Sequence, residues 1–172
     1  MNKIVLLGYM GCGKSTIAKS LSQKKQIPFV DLDEYIENKA KLSVKDIFEQ
    51  LGEIKFRRME HESLVELLQS KEELIIGLGG GTPCYANNHL LLAEEGVTSI
   101  YLKASIATLF NRLSPNKSKR PLIATMNDEQ MKEFIAMHLF ERSYFYNQAK
   151  HVVSVDDKTV ADTVNDIENV LA

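Results

Sequence analysis

The chain has 172 residues, 21 Lys and Arg against 23 Asp and Glu, and 44% hydrophobic content, giving a formal charge of −2. Such values fit one globular domain with a real core and exclude long disorder or a collagen-like repeat. A charge this close to zero also argues against broad nucleic-acid or anionic-membrane binding.

Apolar stretches of strand length alternate with longer amphipathic ones. The first strand is predicted at Lys3–Leu7. Gly-Lys-Ser-Thr follows it where a signal peptide would carry its apolar region, so a cytoplasmic location is expected. A helix is predicted over Lys14–Lys25, a second strand over Phe29–Leu32 and short helices over Asp33–Lys39 and Ser43–Leu51. Gly52 breaks the pattern and a helix resumes over Glu53–Gln69, with Ile54, Leu64, Leu67 and Leu68 as its core side. The third strand is expected at Leu74–Ile76, then a helix at Ala86–Glu95 closed by Gly96. The fourth and fifth strands are expected at Thr98–Leu102 and Val152–Val155, and further helices at Ile106–Leu113, Asp128–Asn147 and Val160–Leu171. The strands are continuous apolar runs, as expected when both sheet faces are covered. The pattern predicts an α/β domain spanning residues 1–172, a parallel sheet with helices on both faces. Residues 114–127 interrupt it with two prolines and form a candidate lid.

The two cysteines, Cys12 and Cys84, form no Cys-x-x-Cys pair, and the four histidines show no zinc-ligand spacing. Free thiols in a reducing compartment are expected.

Gly8-Tyr9-Met10-Gly11-Cys12-Gly13-Lys14-Ser15 matches G-x-x-x-x-G-K-[ST], with Thr16 next. The motif follows a strand and opens a helix. Glycines allow the tight turn that aims successive N–H groups at a phosphate, and the positive helix end adds to them. Lys14 supplies a full charge to the β- and γ-phosphates of a nucleotide, and the Ser15 hydroxyl suits Mg²⁺. Gly11, Cys12, Gly13 and Thr16 complete the cradle. Cys12 is read first as a small residue that fits the loop, and second as a thiol whose oxidation would block the nucleotide.

Asp31 and Asp33 stand at the carboxyl end of the second strand, where ligands collect in parallel sheets. Asp31 suits Mg²⁺, directly or through water. Asp33 suits an acceptor hydroxyl, or alternatively caps the next helix. Arg57 and Glu60 lie three apart on one helix, so a salt bridge can hold Arg57 for a carboxylate. Gly79-Gly80-Gly81 after the third strand permits close approach of backbone to a ligand. Arg120 lies in the candidate lid and Arg142 on the long helix beyond it. A mobile arginine there can stabilise a transferring phosphoryl group.

Taken in order, Gly8–Ser15, Asp31-x-Asp33, Phe56-Arg57-Arg58-x-Glu60, Gly79-Gly80-Gly81, Arg120-Pro121-Leu122 and Arg142 resemble the shikimate kinases, small P-loop enzymes. The resemblance implies a five-stranded parallel sheet of order 2-3-1-4-5 with a lid. It implies ATP-dependent phosphorylation of the 3-hydroxyl of shikimate, in aromatic amino-acid biosynthesis. By position, Asp33, Arg57, Gly79, Gly80, Gly81 and Arg142 would bind shikimate. Ser15 and Asp31 would serve Mg²⁺, Lys14 and Arg120 the phosphates, and Arg112 the adenine, supported by Asp156–Thr159. Lys14, Asp33 and Arg120 would be the catalytic groups. Gly77 stands where members often carry Ser or Thr. A gluconate kinase of the same fold is the nearest alternative. A nucleotide-dependent switch is more distant, since Asn116-Lys117-Ser118-Lys119 lacks the Asp of a guanine-reading element. No dimer stripe is evident, so a monomer is expected.

Overall fold

The structure, a computed structural model, describes residues 2–172. Strands β1 (Lys3–Leu7), β2 (Phe29–Asp31), β3 (Leu74–Gly77), β4 (Val97–Lys103) and β5 (His151–Ser154) form one parallel sheet of order β2-β3-β1-β4-β5. The expected order is therefore observed. β1 sits at the centre, with Ile4 opposite Ile75 on one side and Thr98 on the other. All five of its residues are buried, which explains its unbroken apolar run.

Helices α1 (Lys14–Lys25), α2 (Leu32–Ala40), α3 (Val44–Leu51), α4 (Glu53–Gln69), α5 (Asn88–Leu91), α6 (Ile106–Leu113), α7 (Asp128–Tyr146) and α8 (Val160–Leu171) surround the sheet. α1 packs against α8 and β3, and α2 and α3 pack against α4. Ser43 caps α3 through the Asp46 N–H. Asn127 and Thr159 open α7 and α8 with reciprocal capping pairs.

Several boundaries differ from expectation. β2 ends at Asp31, and Leu32 already begins α2. The Asp31 carboxylate accepts the Glu34 N–H at 3.0 Å, so Asp31 is the cap and Asp33 lies in the first helical turn. The predicted helix at Ala86–Glu95 shrinks to the single turn of α5, because Ala86 and Asn87 both adopt left-handed backbone. Ile54 is 84% exposed, contrary to its assignment to the core. The buried stripe of α4 is Phe56, Glu60, Ser63, Leu64 and Leu67, and Ile54 falls about half a turn away from it. Residues 114–127 are compact: a 3₁₀ segment at Ser114–Lys119 is followed by turns, and Lys117 Nζ donates to the Met126 carbonyl at 2.8 Å. Ile123 anchors that segment in the core, whereas Leu122 is exposed. Gly77 leaves room for the Phe29 ring, whose Cε2 would lie 3.1 Å from an added Cβ.

Candidate active site

The loop from β1 to α1 has glycines where side chains cannot go. Gly8, Gly11 and Gly13 have φ of 151°, 83° and 95°. A Cβ on Gly8 would stand 2.7 Å from the Leu102 carbonyl oxygen, and one on Gly11 would press into Leu113. α1 starts behind Gly13 with no side-chain cap and no acidic residue in its first turn. Its N–H groups and positive end thus remain available to an anion. Lys14 Nζ donates to the carbonyls of Gly8 at 2.5 Å and Tyr9 at 3.1 Å. Such a loop is an anion cradle of phosphate dimensions.

A cleft of about 590 Å³ opens over this loop. Of the predicted residues, Gly11, Gly13, Lys14, Ser15, Thr16, Asp31, Asp33, Gly79, Gly80, Arg112 and Arg120 line it together. Asp31 and Asp33 thus both reach the cleft, although helix start rather than strand alternation puts them there. Arg112 Nη1 donates to the Cys12 carbonyl at 2.9 Å, and Arg120 Nη1 lies 3.8 Å from Met10 Sδ. Lys158 and Thr159, from the predicted Asp156–Thr159 loop, also face the cleft, as does Thr163, which the sequence did not single out. Cys12 does not: its side chain is fully buried behind the loop, with Sγ 3.7 Å from Lys14 Nζ.

Arg57, Gly81 and Arg142 gather beside the cleft rather than on its wall, around the glycine triplet. Arg142 Nη1 lies 3.1 Å from where a Gly80 Cβ would stand, and Arg57 Nη2 lies 3.1 Å from the Gly81 equivalent. Arg57 is held on several sides. Nη1 donates to Glu60 at 3.0 Å, Glu53 approaches Nε at 3.7 Å, and the Tyr85 ring lies 3.8 Å from Cζ. Glu60 is buried and also accepts from Thr82 Oγ1 at 2.9 Å. Tyr146 donates to the Gly80 carbonyl at 2.5 Å and receives Arg142 Nη1 at 3.5 Å.

Asp33 Oδ1 lies 3.3 Å from a Cβ built on Gly79, which joins the two halves of the site. Burial pushes its carboxyl up to about 6, with Asp31, Glu60 and Glu37 adding and Lys14 opposing. An acid tuned this way holds and exchanges a proton near neutral pH.

For a divalent ion, Ser15 and Asp31 offer oxygens on the same cleft. Among the described residues no cluster of three or more His, Cys, Asp or Glu stands ready to hold a metal. That donor set fits Mg²⁺, which takes one or two protein oxygens and completes its shell from phosphates and water.

Tyr9, Tyr85 and His138 carried no local signal, since each meets its partner through the fold. Tyr146 alone had a hint, standing one turn beyond Arg142.

A phosphate loop after the central strand, acids at the end of β2 and arginines around a second small-molecule site together define a P-loop phosphotransferase. The shikimate kinase family model matches residues 10–172. The shikimate kinase of Flavobacterium johnsoniae is 67% identical over 172 residues, covering the whole of both chains. The solved shikimate kinase of Bacteroides thetaiotaomicron superposes with a TM-score of 0.90 at 32% identity, over 99% of this chain and 98% of that one. That of Acinetobacter baumannii in complex with shikimate gives 0.85 at 28% identity, over 99% and 93%. The chain belongs to the shikimate kinase family.

Proposed function

We infer that this chain transfers the γ-phosphoryl group of ATP to the 3-hydroxyl of shikimate, giving shikimate 3-phosphate and ADP. The observation that carries the reading is the junction at Gly79–Gly80. There the phosphate cradle meets a raised-pKa carboxylate, with Arg57 and Arg142 close on the other side. An acceptor bearing a carboxylate and hydroxyls suits that set.

Lys14, Arg120 and the α1 N–H groups would hold the ATP phosphates, within the loop made by Gly11, Cys12, Gly13, Ser15 and Thr16. Arg112 would flank the adenine. Ser15 and Asp31 would hold Mg²⁺, which when bound neutralises charge on the β- and γ-phosphates. Arg57 and Arg142 would grip the shikimate carboxylate over the backbone of Gly79, Gly80 and Gly81. Asp33 would accept a hydrogen bond from the 3-hydroxyl. In the transfer, the shikimate oxygen bonds to the γ-phosphorus as the bond to the β–γ bridging oxygen breaks. The hydroxyl proton passes to Asp33, and Lys14 and Arg120 balance charge on the transferring group. We further read residues 1–172 as one domain with 114–127 as its lid. Arg120 on the cleft wall supports the lid, because that segment brings a cation to the cleft. The reading of a monomer rests on the sequence, in which no dimer stripe is evident. No described helix is long and apolar enough to cross a membrane. The free thiols support the cytoplasm.

The test is ADP release with and without shikimate, for the parent chain, Lys14→Ala and Asp33→Ala. Shikimate-dependent turnover that collapses in both variants is expected. Near-normal turnover by folded Asp33→Ala would refute its role.

A further inference from the structure

Three residues on one stripe of α7, at i, i+4 and i+8, each touch a different part of the site. His138 meets the phosphate loop: Tyr9 Oη lies 2.8 Å from its Nδ1. Arg142 comes next, its Cζ 5.6 Å from the centre of the same Tyr9 ring. Tyr146 closes the stripe on the Gly80 carbonyl. Residues at this spacing stack along one helix face.

Tyr9 occupies a variable position of the loop motif, yet it is 1% exposed. Its ring forms a floor under Arg142 while its hydroxyl reaches a helix 129 positions away. His138 is fixed in turn by the Phe134 ring, edge-on at 4.2 Å between centroids. Burial, reinforced by the Arg142 guanidinium and opposed by Glu141, holds His138 below the ordinary imidazole range. The neutral ring pairs with the Tyr9 hydroxyl through Nδ1 in either tautomer, accepting from it or donating to it.

We propose that Tyr9 and His138 are positioning residues for the acceptor: their hydrogen bond fixes α7 on the phosphate loop and so sets where Arg142 meets the acceptor carboxylate. The inference rests on the assignment of Arg142 to that carboxylate made above. Its physical basis is leverage. Arg142 is bracketed one turn before by the Tyr9 bond and one turn after by Tyr146. Releasing one end lets the helix roll, and a guanidinium displaced by a fraction of an ångström loses bidentate alignment.

Steady-state kinetics with ATP and shikimate, together with melting temperatures, test this. Tyr9→Phe keeps the ring under Arg142 and removes only the hydroxyl. His138→Leu removes the hydrogen-bond partner, and His138→Asn restores a polar partner near the Nδ1 position. Loss of a neutral hydrogen bond corresponds to about a three- to tenfold effect. Tyr9→Phe and His138→Leu should each raise the shikimate KM by that factor, with the ATP KM within about twofold of the parent. The double variant should be no worse than either single one, and His138→Asn should stay near the parent. Arg142→Ala is the control and should raise the shikimate KM more than tenfold. If it does so while Tyr9→Phe leaves that KM unchanged, or while the two single effects multiply in the double variant, the inference fails and the assignment of Arg142 stands. If Arg142→Ala leaves the shikimate KM unchanged, the assignment fails and the inference with it. A fall in melting temperature without a change in shikimate KM shows a purely structural bond and also overturns it.

Discussion

Gly80→Ala separates what the fold needs from what the site needs. Gly80 does not have positive φ, so alanine meets no backbone strain there. Its Cβ would stand 3.1 Å from Arg142 Nη1 and 3.7 Å from Tyr146 Oη, with the nearest backbone atom, the Gly8 oxygen, at 3.8 Å. The closest contact is thus the tip of a flexible side chain, which yields by a few tenths of an ångström. Fold stability should hold, or rise by about 0.4–1 kcal/mol through the less flexible unfolded chain. The displaced guanidinium, however, loses a charge-assisted hydrogen bond worth about 1.5–3 kcal/mol. At about 1.4 kcal/mol per decade, the shikimate KM should rise roughly ten- to a hundredfold with the ATP KM unchanged. Gly8→Ala is the contrast: φ is 151° and the Cβ would strike a β4 carbonyl at 2.7 Å, so the fold itself should fail. Denaturant midpoints and two-substrate kinetics read both quantities. An unchanged shikimate KM in Gly80→Ala, or a loss of stability like that of Gly8→Ala, would refute the reasoning.

Asp33 makes a pH-dependent prediction. Its carboxyl is raised in the folded chain from 3.8 to about 6, mainly by burial. The native state therefore holds a proton that the unfolded chain releases, and this group's contribution to stability falls as pH rises from about 4 to about 6. Asp33→Asn should be more stable than the parent above about pH 6, by on the order of 2–3 kcal/mol, with the gap closing toward about pH 4. Urea unfolding at both ends of that window checks the sign. The parent's kcat/KM should decline as pH falls through about 6, because the carboxylate is then lost. Glu60→Ala should cost about 3–5 kcal/mol by stripping buried partners from Arg57 and Thr82, whereas Glu60→Gln, which keeps hydrogen-bonding atoms there, should cost less; thermal melts distinguish them.

The parts of the molecule legible in the sequence are those whose chemistry is local. Gly8–Ser15 declares both a turn and a charge within eight residues, and the apolar runs of β1 and β4 declare a covered sheet. Asp31 and Asp33 were legible as cleft residues but not in their local roles. Whether a strand continues through Leu32 or a helix begins there depends on which carboxylate reaches the Glu34 N–H. Ile54 was misplaced because apolar character alone put it in the core, although it falls about half a turn from the Phe56–Leu67 stripe. The helix pattern at Ala86–Glu95 is cut to the single turn of α5 by two successive left-handed residues, Ala86 and Asn87, with no glycine to announce them. The props of the arginines were invisible because Tyr85, Tyr146 and Tyr9 meet their partners only once the sheet is assembled.

The grip of Lys14 on the Gly8 and Tyr9 carbonyls bears on entropy. The fold itself confines this flexible four-carbon side chain and turns the loop's own oxygens toward its cation. The cost of ordering the cradle is therefore incurred at folding and not at each encounter with ATP. Binding becomes an exchange of carbonyl for phosphate at a fixed ammonium. It follows that replacing Lys14 removes a strut along with a charge, so the loss seen in Lys14→Ala combines both.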